Sequence, residues 1–147
     1  MSQINLSENF IKDRVRIALK DVMKNVTITK RIDRNKVLQM QRESNLLLMI
    51  SHEGKKGISS SKLYEYIGMQ KPILLFPSDK DIIEKTLNDT GLGIICNTKQ
   101  ELKEKLNSII LDFTKTGNIP IMRNYERIKQ YSRRIQVENL SKILDKI

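Results

Sequence analysis

At 147 residues and 17.1 kDa the chain is long enough for one hydrophobic core and too short for two domains of ordinary size. Hydrophobic residues make up 39% and charged residues 30%, with three prolines and six glycines, which excludes a disordered or collagen-like chain and leaves a soluble globular one. The formal charge of +10 admits an anionic partner: nucleic acid, an acidic membrane surface or a phosphorylated small molecule.

That charge is concentrated at the two ends: residues 1–40 carry +5, residues 41–121 only +1, and residues 122–147 carry +4. The single cysteine, Cys96, has no partner for an intramolecular disulfide and reads as a small buried hydrophobe in a strand. No uncharged run exceeds nine residues, against about 18 for a membrane span. The start MSQINLSENF lacks the basic and then apolar pattern of a signal peptide. A cytoplasmic chain is expected, with peripheral attachment to the inner face of a membrane left open.

Taken in chain order, Phe10, Ile11, Val15, Ala18, Leu19, Val22 and Met23 recur at helical spacing behind Ser7 as N-cap, so residues 7–24 read as a basic amphipathic helix. VTIT at 26–29 is β-rich. A second helical pattern begins after Asp33 and ends near Ser44, before LLLMI at 46–50, a buried strand of the kind covered on both faces in parallel sheets. SHEGKKGISS is a loop, Ser59–Gly68 a short helix, and PILLFP at 72–77 another buried strand. Ser78 is the expected cap of a helix running to Asp89, with Gly91 as its C-cap glycine. GIIC at 93–96 is a fourth strand. Thr98 and Glu101 form a capping box for a helix to Phe113, TKTGNIP is a loop, and the tail is helical, with Tyr125, Ile128 and Tyr131 on one pattern and Leu140, Ile143, Leu144 and Ile147 on another.

Strands separated by single helices predict right-handed βαβ units in an α/β, Rossmann-like fold, a mostly parallel open sheet with helices on both faces. Residues 25–121 form its core and residues 122–147 are C-terminal helices packing on the same domain. Ligands of such sheets bind beyond the carboxyl ends of the strands, here His52–Ser61, Pro77–Asp79 and Asn97.

The first of these segments is the richest. It joins two glycines and three serines to a helix start, and free amides at a helix N-terminus make an anion site suited to phosphate. Gly57 permits close backbone approach, and Ser59, Ser60 or Ser61 caps the helix or bonds an oxyanion. Glu65, beyond the first turn, places a carboxylate where it can accept two hydroxyl hydrogen bonds from a ribose. The same serine run also serves as a plain N-cap, and a glutamate on a short helix as a solvated one. His52, the only histidine, sits at a strand end, where a structural histidine is equally at home. One Cys and one His leave too few such ligands for a metal site, and no GxxxxGK[ST] loop is present. The reading invokes no metal and no cofactor.

KLYEYIGMQKPIL, with the apolar strand and loop before it and TGLGIICNTKQELKEKL after it, resembles the C-terminal, donor-binding half of GT-B glycosyltransferases of the large retaining family 4, group 1 type, over roughly residues 25–147. The resemblance implies a transferase that binds a nucleotide-diphosphate sugar, UDP- or GDP-linked. It serves a polysaccharide or lipid-linked acceptor. Carried over residue by residue, Glu65 matches the glutamate on the ribose hydroxyls. The amides of Ile58, Ser59 and Ser60 match the diphosphate loop, with Gly57 and Ser61 beside them, and Lys62 falls in the serine-lysine pair. Many members have a further glutamate eight positions before this one. Here position 57 is glycine, so Glu53, four residues earlier, is a catalytic candidate reaching in from the loop; His52, at the strand end facing the expected crevice, is the other candidate, as a hydrogen-bonding group for substrate.

The opening strands, the arginine and lysine that clamp the diphosphate, and the acceptor-binding half have no counterpart in this sequence. The resemblance therefore implies a fragment, a truncated reading frame or one subunit of a split enzyme. The basic residues Lys12, Arg16, Lys20 and Lys24 and, in the tail, Arg123, Arg127, Lys129, Arg133 and Arg134 read as solvated faces, as docking faces for anionic lipid, or as contacts to the absent half. Two alternatives stand beside the enzyme: a noncatalytic interaction domain with the same fold, and a basic nucleic-acid-binding module. Aromatics at 5% without tryptophan, and no stacking platform, argue against nucleic acid as partner.

Overall fold

The computed structural model describes residues 25–51 and 54–146. The expected helix at 7–24, with its basic stripe, and the loop residues His52 and Glu53 lie outside them. Contacts divide the chain into two units, Met1–Val37 and Leu38–Ile147.

Within the first unit, VTIT forms no strand, a correction to the four-strand reading. Strand propensity expresses fit to a pleated, half-buried surface, and Thr27, Ile28 and Thr29 are exposed. Helix α1 (Arg34–Glu43) starts where expected, with the Asp33 carboxylate accepting from the Asn35 amide at 2.8 Å.

The second unit is an α/β arrangement. Strands β1 (Leu47–Met49), β2 (Ile73–Leu75) and β3 (Gly93–Ile95) pair in parallel in that order, Leu47 opposite Ile73 and Ile73 opposite Gly93. Helix α2 (Ser61–Met69) connects the first pair and α3 (Ile82–Thr90) the second, giving two consecutive βαβ units. Beyond them lie α4 (Lys99–Thr116), α5 (Tyr125–Gln130) and α6 (Arg133–Leu144).

Period-2 alternation sorts the strand residues. Leu47, Met49, Ile73 and Leu75 share one face and pack with Leu63 and Ile67 of α2, Ile83 and Leu87 of α3, and Ile128 of α5. Each such side chain, fully buried, contributes about 1.5–3 kcal/mol. The other face carries Leu48, Leu74 and Ile94, and here cover on both sides holds for β2 alone: Leu74 is buried, Ile94 half-buried and Leu48 52% exposed. The reason is position, since β1 pairs on one side only among the described residues. Cys96 follows β3 and is fully buried, which pushes its thiol up from the ordinary value, with the Glu101 charge adding to this and Lys105 opposing it.

Several helix ends differ from the sequence reading by the choice of cap. Helix α2 begins two residues later than Ser59 because Ser60 is the residue in extended conformation, its hydroxyl accepting from the Lys62 amide at 3.2 Å. Helix α3 begins at Ile82, not after Ser78. Asp79 accepts from the Ile83 and Glu84 amides, while the Ser78 hydroxyl donates to Glu84 and accepts from the Lys80 amide. Thr98 caps α4 through the Glu101 amide at 3.1 Å, but Glu101 reaches back to the Asn97 amide. Helix α4 continues to Thr116 and stops at Gly117, whose φ of 69° is left-handed. The tail is two helices, and only the first contributes a buried side chain, Ile128.

Gly91 is a tighter constraint. It ends α3 at a φ of 65°, and a Cβ there would lie 1.7 Å from the Met122 carbonyl oxygen, because the chain passes over it to let the Asn124 amide donate to Thr90 at 2.9 Å. Gly91→Ala is expected to lower unfolding free energy by more than about 2 kcal/mol, combining left-handed strain with a backbone clash, read as a lower urea midpoint. Gly117→Ala, with the same φ class and open space around the Cβ, is expected to cost less.

Candidate functional site

The carboxyl ends of β1 and β2 are tied together before any loop is considered. The Phe76 amide donates to the Met49 carbonyl at 3.1 Å, and the hydroxyl of buried Ser51 donates to the Pro77 carbonyl at 2.6 Å. The segment Gly54–Ser60 leaves this crest and leads into α2. Gly54 and Gly57 both have a φ of 73°, a conformation glycine adopts without the steric cost of a side chain.

The Gly57 amide donates to a carboxylate oxygen of Asp81 at 2.6 Å, so the loop touches the segment that opens α3. The amides of Ile58, Ser59 and Ser60 make no hydrogen bond among the described residues. Ser60 uses its hydroxyl as the N-cap of α2, which assigns the capping role left open among three serines, while Ser59 and Ser61 are exposed. Ile58, Ser60 and Lys62 come together with Leu48, Met49, Ile50 and Ile83 around a cavity of about 270 Å³. Glu65 is not on its lining. A larger groove, about 520 Å³, is lined wholly by residues between Lys80 and Asp89, Asp81 among them, and includes none of the expected site residues.

Glu65 is half-buried on the second turn of α2 and accepts from the Gln41 side-chain amide at 3.0 Å. The Gln41 carbonyl oxygen is buried and without a donor among the described residues. Next along the helix, Tyr66 packs against the core; burial and then the adjacent Glu65 charge raise its hydroxyl above the usual tyrosine range.

The structure thus gathers Gly57, Ile58, Ser60 and Lys62 at the crest, with Glu65 one turn further along the same helix, and leaves Ser59 and Ser61 flanking. The catalytic candidates His52 and Glu53 lie outside the described residues. Gln41 and Asp81 were not singled out from sequence. Asp81 had a weak signal, two residues past the marked segment Pro77–Asp79, and Gln41 had none, since nothing local links it to a helix 24 positions away. No group of three or more His, Cys, Asp or Glu among the described residues could hold a metal ion, and none of their helices is long and apolar enough to cross a membrane.

Comparison with family models, with curated proteins and with solved structures finds no match for this chain.

Glu65→Gln removes the adjacent charge while keeping an acceptor for Gln41. It is expected to move the Tyr66 ionisation downward, though not to the ordinary value because burial is the larger cause, as followed by NMR of the Tyr66 ring. The linked stability follows in sign. With the folded value above the unfolded one, the unfolded chain releases this proton first, so Tyr66 weakens the fold as pH rises past about 10, and less so in the variant.

Proposed function

We propose that this chain is the donor-binding half of a retaining GT-B glycosyltransferase. It takes a nucleotide-diphosphate sugar, UDP- or GDP-linked, and works with an acceptor-binding half on a polysaccharide or lipid-linked acceptor. The observation that carries the reading is the Gly57 amide already donating to an oxyanion at 2.6 Å, beside three amides that make no hydrogen bond among the described residues and a serine-capped helix. Backbone amides converging near the positive end of a helix dipole favour phosphate oxygens. The sequence run from Lys62 to Leu74 adds the family likeness, with Glu65 as acceptor for the ribose hydroxyls and Gln41 holding it.

In this reading Gly57, Ile58, Ser59 and Ser60 receive the diphosphate by backbone N–H groups, and Lys62 and Ser61 stand at the rim. Departure of the nucleoside diphosphate is the step such donors stabilise, by hydrogen bonds and positive charge aimed at the growing oxyanion. Positioning an acceptor against the sugar requires a second wall to the cleft. The tail cations fit an anionic membrane surface in part, because Arg123 donates to the Gln70 carbonyl while Lys129 and Arg134 pair with Glu126 and Glu138 on their own helices. Such exposed pairs are worth about 0–1 kcal/mol and open readily.

A noncatalytic interaction domain is the second reading, and α6 favours it. Val137, Leu140, Ile143 and Leu144 are 55–64% exposed, and no residue of that helix is buried.

Ligand-observed NMR with UDP-, GDP- and ADP-sugars is the direct test. Binding of at least one is expected, weakened about tenfold or more by Glu65→Ala through loss of charge-assisted hydroxyl bonds; absence of binding to all three supports the interaction domain. Salt-sensitive binding to DNA or RNA that ignores Glu65 supports the nucleic-acid module. The purified chain alone is expected to transfer no measurable sugar from donor to added acceptor, and turnover without a partner contradicts the need for a second half.

A further inference from the structure

Asp81 stands at the N-cap position of α3 and does not cap it: no amide of that helix bonds to its side chain. The capping role belongs to Asp79, whose carboxylate accepts from the amides of Asp81, Ile83 and Glu84 at 3.3, 2.9 and 3.1 Å. Relieved of the usual reason for an aspartate at this position, the Asp81 carboxylate reaches across to the loop and accepts from the Gly57 amide at 2.6 Å. The residue before it, Lys80, holds a left-handed φ of 50°, an arrangement that costs a non-glycine residue of order 1 kcal/mol and persists where surrounding contacts determine it. Ile83, two residues on, lines the same cavity as Ile58, Ser60 and Lys62.

We propose that Asp81 is a resident anion in the phosphate loop: its carboxylate occupies the Gly57 amide that the diphosphate needs, and a ligand binds by displacing it. The inference rests on the anion-binding reading of the loop and adds a residue that sets affinity from the opposite wall. Its signature is electrostatic. Two unit charges about 4 Å apart in water repel by about 1 kcal/mol, which is about a fivefold change in binding constant, and the effect grows with ligand charge and shrinks with salt.

Asp81→Asn discriminates, because it removes the charge and keeps an acceptor for Gly57. Titration of the full chain with UDP, inorganic pyrophosphate, UMP and uridine, followed on the Gly57 amide by NMR, is expected to show UDP and pyrophosphate binding about fivefold tighter in the variant. UMP should gain less and uridine nothing, and the gain should fade at high salt. Unchanged or weaker UDP and pyrophosphate binding in Asp81→Asn, with UDP still weakened by Glu65→Gln, overturns the proposal and makes Asp81 a brace for the loop, leaving the nucleotide reading in place. If neither UDP nor pyrophosphate binds the wild type or the variant, the nucleotide reading falls and the proposal with it.

Discussion

Three-residue parallel strands make few ladder hydrogen bonds, so the sheet of this protein is held by what covers it. Leu47, Met49, Ile73 and Leu75 are buried beneath Leu63, Ile67, Ile83, Leu87 and Ile128, and β2 is buried on both faces. Because α2 and α3 each supply part of that cover, the starts of both helices are brought to the same edge as the strand ends. The loop Gly54–Ser60 and the segment Ser78–Asp81 meet there as a consequence of core packing, and the hydrogen bonds Ser51 to Pro77 and Gly57 to Asp81 close the gap between them.

At that edge the polar groups divide their roles unevenly. Ser60 and Asp79 satisfy helix N-termini, a task any capped helix requires. Glu65 and Asp81 do something else: one is a half-buried carboxylate held by a glutamine from α1, the other a carboxylate drawn onto a loop amide. A buried acceptor on Gln41, without a donor among the described residues, sits beside the first. Two carboxylates thus flank a loop whose Ile58, Ser59 and Ser60 amides make no hydrogen bond among the described residues, and at this edge local amide geometry rather than net charge is the distinguishing feature.

The net charge of +10 has a different place in the molecule. Near the candidate site the sequence is almost balanced, and in the tail the described cations are partly engaged with neighbouring acids and carbonyls. What α5 and α6 present to the outside is therefore both cationic and apolar, with Tyr125, Val137, Leu140, Ile143 and Leu144 exposed.

Much of this was readable from periodicity. Apolar runs at 46–50, 72–77 and 93–96, separated by amphipathic segments with Ser, Thr and Gly punctuation, are local signals, and they specified the alternation, the parallel class and the crest that carries Gly57–Lys62 and Glu65. Local signals fail where a partner decides. VTIT has strand composition and no neighbouring strand, and Leu48 belongs to an apolar run yet faces outward because β1 pairs on one side only among the described residues. Ser78 and Asp79 are both good caps, and only the backbone path after Pro77 gave the role to Asp79. The contacts of Glu65 with Gln41 and of Gly57 with Asp81 each span 24 positions. The sequence by itself determined which segments are strands and helices in the core and where the carboxyl ends of the strands lie, since those follow from spacing and capping along the chain. Which carboxylate meets which amide was decided by tertiary structure alone, because packing α2 and α3 against one sheet face sets distances that no local pattern encodes.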